Sequence, residues 1–196
     1  MLHSGELIAV SAVRLVAKKA LVVLVIAIGF PVSPMLMASV VNAQDERSAM
    51  SMAALKDKTA KLGAPKVEGT EKVGSKSVPV LCFGSTKMNN NFTLVDEVAK
   101  EGGPGMAATL FVKAGVQQSF AAGGEEYIRV ATSVLLPDGR RAVGTVLAAP
   151  ALDSIKAGNP YYGEVQVLGT VYFADYEPIK DASGETIGAY FVGYKK

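Results

Sequence analysis

The C-terminal segment constrains the fold more than any other part of the chain. Residues 162–174 and 186–194 are rich in β-branched and aromatic side chains, and a polar turn that contains Asp181, Ser183 and Gly184 lies between them. Two strand-like runs joined by such a turn predict an antiparallel hairpin. The chain is therefore expected to close with a hairpin.

The preceding residues supply further strands. Residues 78–83 and 108–113 have the composition of core strands, whereas residues 67–77 are polar and predict a loop or a short edge strand. Residues 127–136 and 141–147 flank Pro137-Asp138-Gly139, a tight-turn sequence, and are expected to pair as a long hairpin.

Helical patterns complete the fold class. Apolar residues between 45 and 62 follow a helical period, and residues 152–157 predict a short helical connection. The sum is an α+β domain with about five antiparallel strands and a long leading helix, whose sheet can cover a ligand on one face.

The N-terminus has the pattern of a secretory signal. Arg14, Lys18 and Lys19 precede an apolar stretch, and the small-residue pattern Val41-Asn42-Ala43 precedes polar residues. We predict a signal peptide over residues 1–43, cleavage after Ala43 and one periplasmic domain over residues 44–196. An uncleaved membrane anchor is the alternative, but Pro31 and Pro34 leave the apolar run short of the about 20 residues that a spanning helix needs.

Removal of this signal would exclude several chemistries. The only histidine, His3, lies within it, so a Ser-His-Asp triad, a Cys-His pair and a His-based zinc site are excluded within one subunit. The remaining charges balance, which gives no indication of nucleic-acid binding. No nucleophile–base pair or cofactor fingerprint is present, so we expect neither enzymatic activity nor a cofactor.

Cys82 is the only cysteine, so the chain has no internal disulfide. Its apolar neighbours favour a buried small side chain over a reactive thiol. Asp175, Glu177 and Asp181 lie close in sequence, but their spacing matches no calcium loop and favours a solvated turn over a metal site.

Six segments, taken in order, resemble extracellular Cache sensor domains. They are Val78-Pro79-Val80-Leu81, Asn91-Phe92-Thr93-Leu94-Val95-Asp96, Ala108-Thr109-Leu110-Phe111, Arg129-Val130-Ala131-Thr132, the run from Pro137-Asp138-Gly139 to Gly144-Thr145, and the C-terminal hairpin. The type that the chain resembles most is the single Cache domain described as a Cache 3/Cache 2 fusion, found outside the membrane in bacterial chemoreceptors and sensor kinases. The resemblance covers residues 45–194.

The resemblance implies a PAS-like sheet with a long N-terminal helix and a small-molecule pocket between sheet and loops. Members of the wider class often bind carboxylates or amino acids. The chain departs from the family pattern at residues 115–124, which are longer than the usual hairpin, and at residues 148–151, which are less polar.

The resemblance also implies partners. A chemoreceptor would continue into a second membrane helix and a signalling region, whereas this chain stops at Lys196. We therefore expect a ligand-dependent interaction with a membrane receptor or sensor kinase, and a homodimer through the N-terminal helix is possible. A non-enzymatic interaction protein on a Cache scaffold is the alternative function.

Strand alternation suggests where a ligand would bind, because neighbouring residues on a strand point to opposite faces. One face of the strand after Gly124 receives Tyr127, Arg129, Ala131 and Ser133. A lone arginine among small residues is typical of a carboxylate site, because its planar fork holds an anion through two parallel hydrogen bonds. The alternative is an exposed arginine on the solvated side of the sheet.

Tyrosines from the C-terminal segment extend this candidate ligand-binding site. Alternation through residues 162–174 places Thr170 and Tyr172 on the face of Glu164, Gln166 and Leu168. Tyr161, Tyr162 and Tyr176 lie at the two ends of this segment, where connections often line binding sites. Each tyrosine alone can equally be a core or rim residue.

Overall fold

A computed structural model of the protein describes residues 34–115 and 124–196. Most of the predicted signal, and residues 116–123 of the segment that departs from the family pattern, lie outside these residues. Within the described part of the chain, no helix has the combination of length and hydropathy that a membrane crossing requires.

Within the described residues, three helices and eight strands follow one another. The helices are α1 (Pro34–Ala60), α2 (Thr93–Gly102) and α3 (Ala151–Lys156). The strands are β1 (Pro65–Val73), β2 (Lys76–Phe83), β3 (Thr86–Lys87), β4 (Met106–Ala114), β5 (Glu126–Thr132), β6 (Tyr161–Val167), β7 (Thr170–Lys180) and β8 (Thr186–Lys195). The predicted α+β class and short connecting helix are confirmed, and α1 begins before the predicted helix does.

The eight strands form two antiparallel sheets. The larger sheet has five strands in the order β5-β4-β8-β7-β6, and their number agrees with the prediction of about five. The smaller sheet has the order β1-β2-β3. β1 is an edge strand of this sheet, as one of the two predictions for residues 67–77 had it, although it is nine residues long. The prediction that residues 78–83 belong to the main sheet is wrong, because β2 pairs with β1 and β3 instead.

The C-terminal hairpin is confirmed, and its turn explains why. The Asp181 carboxylate accepts hydrogen bonds from the Ser183 and Glu185 N–H groups, at 2.9 and 3.0 Å. Gly184 adopts a φ of 86°, which glycine tolerates best. These contacts all lie within the turn that joins β7 to β8.

A second hairpin divides the segment that the sequence predicted as one strand. Leu168 and Gly169 have φ values of 50° and 84°, so they form a two-residue turn between β6 and β7. Leucine is rare at positive φ, and the turn therefore has no ordinary sequence signal. The prediction of a continuous strand over residues 162–174 is wrong.

The predicted hairpin around Pro137-Asp138-Gly139 forms only in part. β5 ends at Thr132, and the returning segment joins it through isolated bridges between Ile128 and Val146 and between Leu135 and Arg141. The Arg129 N–H donates to the Thr145 carbonyl, and the Gly144 N–H donates to the Arg129 carbonyl, both at 2.9 Å. Residues 136–147 therefore form an irregular segment fastened to β5.

Each side of the five-stranded sheet has its own apolar core. On the first side, called the helix face, α1, α2 and the small sheet contribute buried side chains that include Leu55, Val98 and Leu81. On the second side, called the loop face, residues from the connection between β5 and β6 contribute Val134, Leu147 and Ile155. The sheet thus separates two interiors.

Candidate functional site

Arg129 lies on the loop face next to a β-bulge. Residues Phe111 and Arg129 are paired across β4 and β5, and the register then shifts so that Leu110 is paired with Ala131. The bulge turns Ala131 toward the helix-face core. It also places Thr132 opposite Thr109, so the prediction that Ala131 shares a face with Arg129 is wrong.

The Arg129 side chain is buried, with 1% of its surface exposed. Its guanidinium carbon lies 5.0 Å from the centroid of the Phe111 ring. Nη1 donates to the Thr145 hydroxyl, which in turn donates to the Ala142 carbonyl at 2.8 Å. The alternative of a solvent-exposed arginine is therefore wrong.

Two nitrogens of this guanidinium have no hydrogen-bond partner. Nε and Nη2 of Arg129 are both buried and unpartnered. Buried donors are nearly always satisfied, so such an exception needs an explanation, and a bound molecule is one. The two nitrogens form one edge of the planar fork, the arrangement that accepts a carboxylate bidentately.

Burial also changes the acid–base behaviour of Arg129. The pKa of its guanidinium is lowered to about 10, because burial disfavours the charged form, and Tyr176 and Tyr172 only partly oppose this effect. The side chain therefore remains protonated near neutral pH. The loop-face interior contains a positive charge with two free donors.

Tyr176 provides a third unpartnered polar group on this face. Its ring is fully buried, 4.9 Å from the Phe191 ring and 6.2 Å from the Phe111 ring. Its hydroxyl is buried without a hydrogen-bond partner. Burial raises the pKa of the Tyr176 hydroxyl, and the nearby charge of Arg129 opposes this rise only in part. The hydroxyl thus stays neutral and can donate a hydrogen bond.

Tyr172 joins the same interior from a face that the sequence did not predict. It is paired with Val165 across the β6–β7 hairpin and packs edge-on against Phe191 at 6.2 Å. The prediction that Tyr172 shares a face with Glu164 and Gln166 is wrong, because the turn at residues 168–169 reverses the strand. Burial raises the pKa of the Tyr172 hydroxyl, whereas Arg129 lowers it.

The other predicted site residues take different positions. The Tyr161 ring contacts Tyr176 edge-on at 6.3 Å, and its hydroxyl donates to the Glu164 carbonyl. Thr170 adjoins the β6–β7 turn. Ser133 accepts a hydrogen bond from the Ala108 N–H at 2.9 Å, and this ties its hydroxyl to a neighbouring strand.

Tyr162 lies on the helix face and is 61% exposed. Its hydroxyl is 3.5 Å from Glu177, whose carboxylate forms an ion pair with Lys56 at 2.5 Å. The structure thus brings Arg129, Tyr172 and Tyr176 together and separates Tyr162, Ala131 and Ser133 from them.

Sequence analysis missed several residues of the loop-face site. The Thr109 and Thr132 hydroxyls, both fully buried, are 2.7 Å apart and hydrogen-bond to each other. Phe111 supports the guanidinium, and Thr145 anchors Nη1. Alternation within β4 places Thr109 and Phe111 on one face, and this was the available signal.

The helix face contains an open groove of about 810 Å³ between α1 and the β6–β7 hairpin. Its lining includes Ser48, whose buried hydroxyl has no partner, and the aromatic residues Tyr162 and Phe173. This groove is larger than any space needed for a small acid, but it lacks a buried charge. The two unpartnered guanidinium nitrogens of the buried Arg129 make the loop face the better candidate for ligand binding.

The remaining polar candidates have structural roles. Asp181 stabilises the β7–β8 turn, and Glu177 pairs with Lys56. Among the described residues, no group of three carboxylate, histidine or cysteine side chains can hold a metal ion. Cys82 is buried in the small sheet, and burial raises the pKa of its thiol.

Comparison with known proteins supports the fold assignment. The Cache 3/Cache 2 fusion domain family matches residues 35–196, which is most of the chain. Neither the curated proteins nor the solved structures gave a match. Because the family match extends over both sheets and all three helices, the chain belongs to the Cache 3/Cache 2 fusion domain family.

Proposed function

We propose that this protein is an extracytoplasmic ligand-binding domain that holds a small organic acid on the loop face of its five-stranded sheet. One observation supports this proposal above others: a fully buried arginine that directs two unpartnered donors into an apolar interior. The family context agrees, because Cache domains are commonly extracellular sensors that bind small ligands.

The chemistry of Arg129 favours a carboxylate. A protonated guanidinium without a counterion is unfavourable in a protein interior, and an anionic ligand would remove that penalty. The Nε–Nη2 edge matches the two oxygens of a carboxylate, and the Tyr176 hydroxyl can donate a third hydrogen bond. Phe111 holds the arginine in place by stacking against its guanidinium.

A thermal-shift screen of the full chain against short carboxylates tests this proposal. A ligand that binds only the folded protein raises the melting temperature through mass action. We expect a shift with at least one acid, loss of that shift in Arg129→Met, and a weakened shift in Arg129→Lys, which keeps the charge but not the planar fork.

Arg141→Met is the matched control for this screen. Arg141 lies in the 136–147 segment, which packs beside β5, and its guanidinium is already paired with Asp96 at 2.5 and 2.8 Å. This variant should keep the ligand-induced shift. If no carboxylate changes the melting temperature of the wild-type protein, the proposal is wrong.

A second candidate function is an interaction protein on the same scaffold, and the groove beside α1 favours it. The groove places a buried, unpartnered Ser48 hydroxyl next to the exposed Tyr162 ring. A membrane receptor, a sensor kinase or a second copy of the chain is the proposed type of partner. A photo-crosslinking residue at position 162 should capture such a partner in the periplasm, and one at the exposed position 140 should not.

A further inference from the structure

The loop-face site contains a single charged side chain, and that charge is positive. Arg129 is the only charged residue among the fully buried side chains that the structure describes. The other buried polar residues on this face, Thr109 and Thr132, are neutral and bonded to each other. A single cation is therefore available to pair with the charge of a ligand.

Acidic residues on the neighbouring elements are paired or exposed. Glu126, at the start of β5, pairs with Lys76 at 2.7 Å, and Asp96 of α2 pairs with Arg141. Asp153 of α3 is exposed to solvent. None of these carboxylates faces Arg129, and burial and two tyrosines are the influences that shift the pKa of its guanidinium.

Basic residues near the site are likewise paired with a carboxylate or exposed to solvent. Lys76 is held by Glu126, and Arg141 by Asp96. Arg140 pairs with Asp138 in the exposed turn, and Lys156 of α3 is exposed. Among the residues of known placement, no second cation reaches the loop-face interior.

The walls around Arg129 are apolar and closed to solvent. They are formed by fully buried rings from β4, β7 and β8 and by Leu147 and Ile155 of the connection, with exposed fractions of at most 2%. Besides the Thr145 hydroxyl, which already accepts a hydrogen bond from Nη1, the neutral polar groups near the guanidinium are the hydroxyls of Tyr172 and Tyr176. A ligand held here would be enclosed, so it must be small.

We infer that the site selects short monocarboxylates that have an apolar or hydroxyl-bearing body, and that it rejects α-amino acids and dicarboxylates. This inference rests on the proposed function. An α-ammonium group would enter an interior in which no described carboxylate can compensate its charge, and a second carboxylate would lack a cation. A hydroxyl can instead bond to the Tyr172 hydroxyl at no charge penalty.

Two matched pairs of ligands test this inference by calorimetry on the full chain. Lactate carries a hydroxyl where alanine carries an ammonium group, and succinate carries a second carboxylate that propionate lacks. We expect propionate and lactate to bind at least about tenfold more tightly than alanine and succinate. Binding of propionate and lactate should be lost in Arg129→Met and retained in Arg141→Met.

The outcomes separate this inference from the proposed function. If alanine or succinate binds within threefold of its partner, and that binding also depends on Arg129, the selectivity is wrong while the carboxylate site stands. If none of the four acids, nor any other short carboxylate, binds the wild-type protein, both the site and its selectivity are overturned. Tyr172→Phe provides a second variant, in which lactate should lose more affinity than propionate, because the Tyr176 hydroxyl serves the carboxylate that both acids share.

Discussion

Burial of Arg129 opposes folding in the unliganded protein. The side chain has lost its hydration, two of its nitrogens have no partner, and a hydrogen bond to Thr145 together with the Phe111 ring gives partial compensation. Unsatisfied buried donors destabilise a folded protein by about 1–3 kcal/mol. A residue retained under these conditions is expected to serve binding, because binding sites tolerate local instability.

Replacement of Arg129 by methionine should therefore stabilise the unliganded protein. Methionine fills a similar volume without a charge, and Thr145 keeps its bond to the Ala142 carbonyl. We expect the free energy of unfolding in urea to rise by about 1–3 kcal/mol. Arg141→Met should instead lower it by up to about 1 kcal/mol, because that variant breaks a partly exposed ion pair. A loss of stability in Arg129→Met would show that the arginine is structural.

The pKa of Arg129 predicts how ligand affinity depends on pH. Burial lowers this pKa to about 10, so the folded protein releases the proton at lower pH than the unfolded chain does. The unfavourable contribution of the charge to stability is complete below about pH 10 and decreases above it, as the unfolded chain then binds more protons. The positive charge that attracts an anion disappears over the same range.

Affinity for a carboxylate should accordingly be constant between about pH 6 and 9, where the acid is ionised and the guanidinium protonated. It should fall above about pH 10. Calorimetric titrations at stepped pH values check this expectation. A marked change of affinity between pH 6 and 9 would indicate that another titrating group contacts the ligand.

At the scale of elements, the segment over residues 136–147 links the site to the small sheet. Its Gly144 lies against the β1–β2 turn, where a β-carbon at position 144 would be 2.8 Å from the Val73 carbonyl oxygen. The same glycine donates its N–H to the Arg129 carbonyl. Gly144 therefore joins the segment to the small sheet as well as to β5.

Substitution of Gly144 by alanine should separate these elements. Gly144 and Gly139 have similar φ values of 79° and 82°, but a β-carbon at position 139 would meet nothing within 4 Å. Both variants carry backbone strain of about 1–2 kcal/mol. Gly144→Ala should lose about 1–3 kcal/mol more in urea unfolding, because the Val73 carbonyl must also move. Equal losses would mean that the close approach has no energetic role.

At the scale of the whole molecule, the sheet keeps the two faces distinct. α1 covers the helix face through a stripe of buried residues that includes Ser48, Met52, Leu55 and Thr59. Lys58 pairs with Glu97 and Glu101 of α2, and the Thr59 hydroxyl lies 3.1 Å from that of Tyr190. The helix is therefore fixed to the sheet on the side opposite Arg129.

The predicted cleavage after Ala43 falls within α1 (Pro34–Ala60). The cleaved chain would keep the part of α1 that carries Ser48, Met52, Leu55 and Thr59. We expect intact-mass analysis of the exported protein to give Gln44 as its first residue, with the same melting temperature as the uncleaved chain. A mass that includes residues 1–43 would contradict the predicted cleavage.

Local chemistry in the sequence determined much of this protein. The β7–β8 hairpin, the α3 connection and the α+β class follow from turn residues and hydrophobic periodicity, which act over a few neighbouring positions. The choice of Arg129 as a candidate also came from alternation along one strand. These features need no contact between distant segments.

Only the tertiary structure decided how the site is built. The bulge after Arg129 and the turn at Leu168-Gly169 arise because paired strands must match register and twist, and each one moves side chains to the opposite face. The burial of Arg129 beneath residues 136–157 depends on close approach of segments far apart in sequence. The sequence thus identified a lone arginine, and packing of the connection over the sheet made it a buried cation with two unpartnered nitrogens.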